Sequence, residues 1–522
     1  AKPGEKVVLK ILNWGNRDLQ KLPVGNIIEI LGKAGDPEVE ILSIIKQYEL
    51  PLTFPENVLQ ELNNIHLEIP QEEIIRRTDL RKLTTITIDP ASAKDFDDAV
   101  SLEKNEDEFT LYVHIADVAH YVSHSSNLFA EAVKRGNSYY FPKKVIPMLP
   151  EKISNKVCSL RPFEEKLTLT MKTVYNADFS IKSQEVVESV IKSDARFNYD
   201  EIDAHFEGEK KIDKELVIML DDMRKLSSAL SVKNIKHGYL SLNIPETEFI
   251  FDEDGHITDL QRSRQTESHK LIENFMLVAN EFVAKRLSAK PTIYRIHEEP
   301  EEEKLVKLKK LVRNYSLKFD LGKERHIALQ ELLNSLPDES HHRVFDKVVL
   351  RSMKRAKYTI QNMGHFGLAL QNYTHFTSPI RRICDLVVHH QIKDKLNSQQ
   401  ERFDKNRLIQ IAESATENEM IADEAEREVD LKNKLNFIKK HLGEEFEGII
   451  VAIRPALMIV ELDRYPVTGI VEISSLKDDY YNFMEEHMRL VGRKSGKIYK
   501  LTDNVKVFIS RVDDDIYFQI ME

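Results

Sequence analysis

Asp89-Pro-Ala-Ser-Ala-Lys-Asp95-Phe-Asp97-Asp98 places four carboxylates within ten residues. The stretch before it, Thr84-Thr-Ile-Thr-Ile88, alternates as a β-strand does, and Ala99-Val-Ser-Leu102 after it is again largely apolar. Carboxylates this crowded repel one another and resist ionisation unless a positive charge sits among them. A hard divalent cation is the simplest remedy, because Mg is held by carboxylates, water and substrate phosphate oxygens. A strand-end aspartate joined to an Asp-x-Asp-Asp turn can aim several carboxylates at one point, as two-metal phosphoryl chemistry requires. The competing reading is a solvated acidic turn, but such a loop has no need of core strands on both flanks. Asp89, Asp95, Asp97 and Asp98 are therefore candidate ligands for one or two Mg ions, with Mn as a substitute.

A second informative stretch is Tyr373-Thr-His-Phe-Thr-Ser-Pro-Ile-Arg-Arg382, followed by Asp385-Leu-Val-Val-His389. Pro379 at a helix start would leave backbone N–H groups free to meet a phosphate. Two successive arginines would add planar donors that grip it. Paired arginines are more often plain surface, and in isolation that reading would prevail. The spacing His114-x2-Asp117-x2-His120 could suggest a transition-metal site, but strand alternation sends positions 114 and 117 to opposite faces, which favours satisfied core polar groups.

The acidic run resembles the signature of the RNB exoribonucleases, the ribonuclease II and ribonuclease R group, whose pattern is D-x5-D-x-DD. The likeness continues in order along the chain, through His114-Ile-Ala-Asp-Val118, Tyr140-Phe-Pro142, His375-Phe-Thr-Ser-Pro-Ile-Arg-Arg382 and Ala422-Asp-Glu-Ala-Glu-Arg-Glu428. Its nearest branch is bacterial ribonuclease R. The resemblance implies an α+β multidomain chain with a central RNB catalytic domain flanked by OB-fold barrels. It also implies a processive, Mg-dependent, hydrolytic 3′→5′ exoribonuclease that releases nucleoside 5′-monophosphates. By the same resemblance Asp97 and Asp98 are the aspartates whose loss should hurt most, and Arg381, with Arg382 beside it, holds the phosphate. Tyr140 stacks on a base near the RNA 3′ end, and Glu426 lines the 3′-end cavity. Departures stand at Ile383-Cys384, where the family commonly has Tyr-Pro, and at Glu273-Asn274, where it usually has two acids.

The chain has 522 residues, enough for several domains, with 41% hydrophobic and 31% charged residues. A net charge of −11 argues weakly against a nucleic-acid partner, but basic residues can still line a groove. Cys158 and Cys384 offer no disulfide framework, which favours a reducing cytoplasm. No apolar run approaches the ~18 residues of a membrane span. Residues 1–50 read as three strands (Val7–Leu12, Val24–Leu31, Val39–Ile44), the partial tail of a cold-shock-type OB domain. With Ala1 first, a preceding N-terminal portion is expected. A linker over 51–78, an RNB domain over 79–442 and a C-terminal OB domain over 443–522 follow. Helices are expected over Glu56–Leu62, Lys214–Lys233, Ser268–Leu287, Glu299–Lys310 and Lys405–His441, and a hairpin from His237 to Phe251 turning at Asp254-Gly255. Five strands are expected after Glu444, in a barrel whose usual aromatic platform is replaced by Pro455-Ala-Leu-Met-Ile-Val460. The expected partner is the 3′ end of single-stranded RNA, with no membrane, no organic cofactor and a monomeric state. The alternatives are a catalytically silent RNA-binding protein on the same fold and a phosphodiesterase acting on DNA or a small nucleotide.

Overall fold

The computed structural model describes residues 1–16, 20–106 and 108–521. Ile86–Asp89 lies inside a seven-stranded sheet. Across the sheet the order is Ala195–Asn198, Ile86–Asp89, Asp98–Asn105, Glu108–Ala116, Glu165–Tyr175, Ile181–Lys192 and Thr78–Asp79. The two end strands run parallel to their neighbours and the inner pairs are antiparallel. The interior position explains the composition of the acidic strand: Ile86 and Ile88 fill the core, and Thr85 and Thr87 are buried on the other face.

Helices Lys214–Lys236 and Glu267–Leu287 cover one face of this sheet, packing Met219, Met223, Leu226, Leu271 and Phe275 against Ile86, Val100 and Leu111. Helix Ile383–Leu396 is buried along most of its surface, its buried polar residues Asp385, His389, His390 and Lys393 each holding a hydrogen-bond partner. Its Val388 and Ile392 join the core just described. Its Ile383, Leu386 and Val387 join a second core with Phe96, Ala99 and Ile380. Each such side chain contributes roughly 1.5–3 kcal/mol by leaving water. Together they hold the acidic turn and the arginine segment in one place.

The long helix Lys405–Ile438 leads to a closed five-stranded barrel of Glu445–Arg454, Leu457–Leu462, Thr468–Glu472, Ile516–Ile520 and Asn504–Val512. The single strand expected over Lys497–Val512 is two strands, Ile498–Lys500 and Asn504–Val512. The first belongs to an extra three-stranded sheet with Tyr481–Met484 and Arg489–Gly492.

At the N-terminus, Glu5–Asn13 and Val24–Lys33 form the expected antiparallel pair. The third expected strand, Val39–Ile44, is instead part of helix Pro37–Gln47. Asp36 accepts the Glu38 amide as its N-cap and Pro37 fixes the first turn, so local capping overrides the β-branched composition. The hairpin near residue 250 pairs only Thr247–Phe251 with Ile257–Arg262, and the stretch from His237 to Pro245 is not a strand. The helix expected from Glu299 begins at Glu302. Helix Gln71–Arg76, within the expected linker, is additional.

Candidate active site

The turn from Pro90 to Asp97 leaves the end of one interior strand and enters the next, so its path is set by what pins the loop. Arg196 donates to the carbonyls of Pro90, Ala91 and Ala93 at 3.2, 2.9 and 3.4 Å, and its guanidinium lies over the Phe96 ring. The buried Phe96 donates its amide to Ser159 Oγ at 3.0 Å, and Ser159 donates onward to the Lys94 carbonyl at 2.9 Å. With the loop pinned on both sides, the four aspartates take distinct positions.

Asp97 is buried and accepts the backbone amide of Ile380 on Oδ1 at 2.8 Å. Its Oδ2 lies 3.7 Å from Nε of Arg381. Burial holds Asp97 well above the usual carboxylate range, with Arg381 and the Ile380 amide pulling the other way. Burial, then repulsion from Asp98, pushes Asp89 up to about 8. Burial pushes Asp98 up to about 6, against the pull of Arg381 and Arg382. Oδ2 of Asp89 is buried without a hydrogen-bond partner among the described residues. Asp95 accepts the Tyr140 hydroxyl on Oδ2 at 3.0 Å. Among the described residues no three His, Cys, Asp or Glu side chains converge as a ready-made cage. The donor chemistry nevertheless fits a hard cation: these are oxygen ligands whose charge is held back by burial and mutual repulsion, with one buried oxygen unsatisfied.

Pro379 does not open a helix. Helix Ile383–Leu396 starts beyond it, and the backbone N–H groups around the proline are occupied. The Ser378 amide goes to Asp385 at 2.8 Å, that of Ile380 to Asp97, and those of Arg381 and Arg382 to the Ser378 carbonyl. The segment thus meets the acidic turn through Asp97 rather than offering free amides to a phosphate.

The two arginines part company. Arg381 is about half exposed and is steadied by donation to Ser378 Oγ at 3.0 Å. Arg382 turns inward and pairs with Asp385 at 2.8 Å. Backbone pairing carries Tyr140 to the same place: Ser138 donates to the Arg381 carbonyl at 3.1 Å, and Ile383 to that of Gly136 at 2.9 Å. Glu426, on the long helix, accepts the Tyr140 amide at 2.9 Å, and burial pushes its carboxyl up to about 7. Tyr140, Arg381, Arg382 and Glu426 line one recess of about 170 Å³. The geometry therefore brings all eight candidates to one neighbourhood, with Arg382 lining the recess and paired to Asp385 rather than hydrogen-bonded to the acidic turn.

His114 and Asp117 are core groups, as alternation indicated. His114 bonds Ser101 and Thr170 at 3.0 and 2.8 Å, and Asp117 pairs with Arg77 and Lys393, both at 2.6 Å. One residue was missed. Tyr199 follows strand Ala195–Asn198, whose Asn198 is level with Asp89. Its hydroxyl is held up by burial and by nearby Asp98 and Asp89, and its ring stacks on His269 at 3.8 Å. Only the strand register reveals it, because Tyr199 lies far from the acidic run in sequence and comes near through the pairing of Asn198 with Asp89. A channel of about 1560 Å³ runs from Pro90–Ser92 and Tyr199 to Arg464 of the barrel.

Comparison with known proteins agrees with this layout. Residues 77–398 match the RNB domain, 1–55 a cold shock domain and 439–518 the S1 RNA binding domain. The chain is 40% identical to ribonuclease R of Aquifex aeolicus, all of it aligning to 75% of that protein. It is 35% identical to ribonuclease R of Escherichia coli, over 99% of this chain and 65% of that one. The solved structure of Mycoplasma genitalium RNase R in complex with ribose methylated single-stranded RNA superposes with a TM-score of 0.92 at 29% identity, covering 99% of this chain and 83% of that chain. An aspartate turn locked to an arginine segment, set between a cold-shock element and an S1 barrel and matched over its whole length, has one family to which it answers: the chain belongs to the RNB exoribonucleases, in the ribonuclease R group.

Proposed function

We infer that this 3′→5′ exoribonuclease threads single-stranded RNA to the aspartate turn and releases nucleoside 5′-monophosphates processively, using one or two Mg ions held by Asp89, Asp95, Asp97 and Asp98. The observation that carries the reading is the burial of Asp89, Asp97 and Asp98 on one turn, where a buried Asp89 oxygen has no hydrogen-bond partner among the described residues and burial holds all three carboxyls above the usual range. When bound, the ions would supply an activated water and stabilise the leaving oxygen, and Mn can take their place.

The chain's own residues supply the rest. Arg381 stands over Asp97 with its guanidinium half in solvent, so it can meet a phosphate without leaving its Ser378 support. Tyr140 is tied at its amide to Glu426 and at its hydroxyl to Asp95, which leaves the ring face to stack on a terminal base. Its tether to Asp95 couples base placement to the reacting phosphate. Arg382 supports the recess wall through Asp385. Cys158 and Cys384 are free, buried thiols, which suits a reducing cytoplasm. Among the described residues no helix is long and apolar enough to cross a membrane. We take the monomer as the working unit.

The test is incubation of end-labelled single-stranded RNA and DNA with Mg, with and without chelator. Stepwise mononucleotide release from RNA alone, abolished by chelator, is the expected result. Binding without release would assign the chain to silent relatives of the fold, and release from DNA would overturn the RNA assignment.

A further inference from the structure

The S1 barrel carries no aromatic residue on strand Leu457–Leu462. Leu457 and Ile459 are the half-buried residues of that strand, while Met458 and Val460 point into the core. Aliphatic side chains cannot stack on bases as aromatic ones do. An exposed aromatic ring stands elsewhere in the domain, immediately before the first strand of the extra three-stranded sheet. Tyr480 is 75% exposed, and neither its ring nor its hydroxyl has a partner among the described residues.

The surroundings of Tyr480 are ordered. Asp479 accepts the amide of Tyr480 at 2.7 Å, the amide of Lys494 at 2.8 Å, and the amide and hydroxyl of Ser495, both at 2.7 Å. Arg493 donates its amide to the Tyr480 carbonyl at 2.9 Å and its Nε to Asn482 at 3.0 Å. Asp479 is thus consumed internally, and the turn from Arg493 to Lys497 is locked beside the tyrosine. Lys497 pairs with Asp478 at 3.0 Å. The side chains of Lys477 and Lys494 have no acidic partner among the described residues, and Arg493 keeps its terminal nitrogens free of carboxylates.

The other end of the same sheet rests on the RNB domain. Asn314 donates to the Glu486 carbonyl at 3.0 Å and meets His487 at 2.9 Å. Because Tyr481 is paired with Gly492 and Met484 with Arg489, the tip bearing Tyr480 lies at the end away from that anchorage. An exposed ring on a backbone fixed by hydrogen bonds, with unpaired cations on the neighbouring residues and turn, has the two components that grip single-stranded nucleic acid without regard to sequence: a stacking face and phosphate partners.

We propose that the Tyr480 tip, with Lys477, Arg493 and Lys494, is a second RNA contact that holds single-stranded RNA upstream of the channel, in place of the aromatic platform the barrel lacks. The proposal deepens the exoribonuclease reading, since it concerns how the same substrate is held. The site lies apart from the recess, so only RNA long enough to span both can use it.

The experiment measures affinity of the full chain, without divalent ions, for one RNA of about 20 nucleotides and one of about 4, bracketing the reach of an OB domain. Tyr480→Ala is expected to weaken binding of the long RNA about tenfold and to leave the short one unchanged, while Tyr480→Phe keeps the wild-type affinity. Arg493→Glu with Lys494→Glu should lower the salt dependence for the long RNA by about one to two phosphate contacts. Unchanged long-RNA affinity in a Tyr480→Ala protein of wild-type melting temperature overturns the proposal and points the patch toward an acidic protein partner. Equal loss for both lengths overturns it as well. Because no hydrolysis is involved, a chain that shows the length contrast yet cleaves nothing would support the tip and sink the catalytic reading alone.

Discussion

Ile380 donates its backbone amide to Asp97 across 2.8 Å, joining two segments that lie 283 residues apart in sequence. The bond fixes the orientation of Asp97 and places Arg381, the next residue, beside the same carboxylate at 3.7 Å. An asparagine can accept that amide as well as an aspartate can, so shape and charge are separable here. Asp97→Asn should lower mononucleotide release by at least about 10²-fold, the order found when one charge-handling group is removed from a preorganised site. Because burial opposes the Asp97 charge, the metal-free variant should melt no lower than wild type. Calorimetry beside a gel assay tests both signs, and a variant that loses activity only by unfolding contradicts the argument.

Tyr140 divides the same way. Its hydroxyl meets Asp95 and its ring lines the recess. Tyr140→Phe removes one hydrogen bond to a carboxylate and should cost a few-fold in rate. Tyr140→Ala removes the stacking face and should weaken RNA binding by about 1–3 kcal/mol. Comparing affinity and rate for the two variants checks the division, and equal effects from both would refute it.

Much of this site was legible in the sequence because its chemistry is local. Four aspartates within ten residues announce themselves, and the alternating Ile86 and Ile88 place them at a strand end. What stayed hidden depends on contacts between distant segments. Tyr199 reaches the aspartates only because Asn198 pairs in parallel with Asp89. Arg382 reads as a twin of Arg381, yet Asp385, one helical turn on, draws it inward. Val39–Ile44 has strand composition, and the Asp36-Pro37 start decides it as a helix. Strands Tyr481–Met484 and Arg489–Gly492 were overlooked because each is only four residues long and carries too little periodicity to stand out.

His114 gives a pH prediction for a single group. It is fully buried between Ser101 and Thr170, and burial lowers its pKa to about 3. The unfolded chain takes up a proton near pH 6.5 that the folded chain refuses until about 3. Below 6.5 the unfolded state therefore binds more protons, and the folded state loses about 1.4 kcal/mol per pH unit down to the folded value. The stability difference between wild type and His114→Gln should accordingly move in favour of the variant as pH falls through this window. Denaturant titrations at pH 7 and 5 measure it, and a difference that does not change with pH rules the mechanism out.

Beside the apolar core that the S1 barrel shares with the RNB domain, the two are fastened by a buried carboxylate, Glu461, whose side chain is 6% exposed. It accepts Lys347, Arg343 at 3.2 Å and Arg262 at 3.2 Å, which come from a helix and a hairpin of the RNB domain. Arg262 also donates to the carbonyls of Leu462 and Asp463, both at 2.5 Å, and Arg343 to that of Leu462 at 3.1 Å. Burial alone would raise the Glu461 carboxyl, but Lys347 and the two arginines outweigh it and hold it below the usual range. Glu461→Gln keeps the volume and leaves three cations facing one another. Breaking a buried pair costs roughly 3–5 kcal/mol, and the partial exposure of these cations brings the expected loss to about 2–3 kcal/mol. The loss should fall on the barrel's docking, since Glu461 faces the cations of the RNB domain. Long RNA should then bind more weakly while the cleavage rate of already bound short RNA holds, raising KM with kcat kept. A fall in kcat at unchanged KM would mean that Glu461 acts on the aspartate site and not on the placement of the barrel.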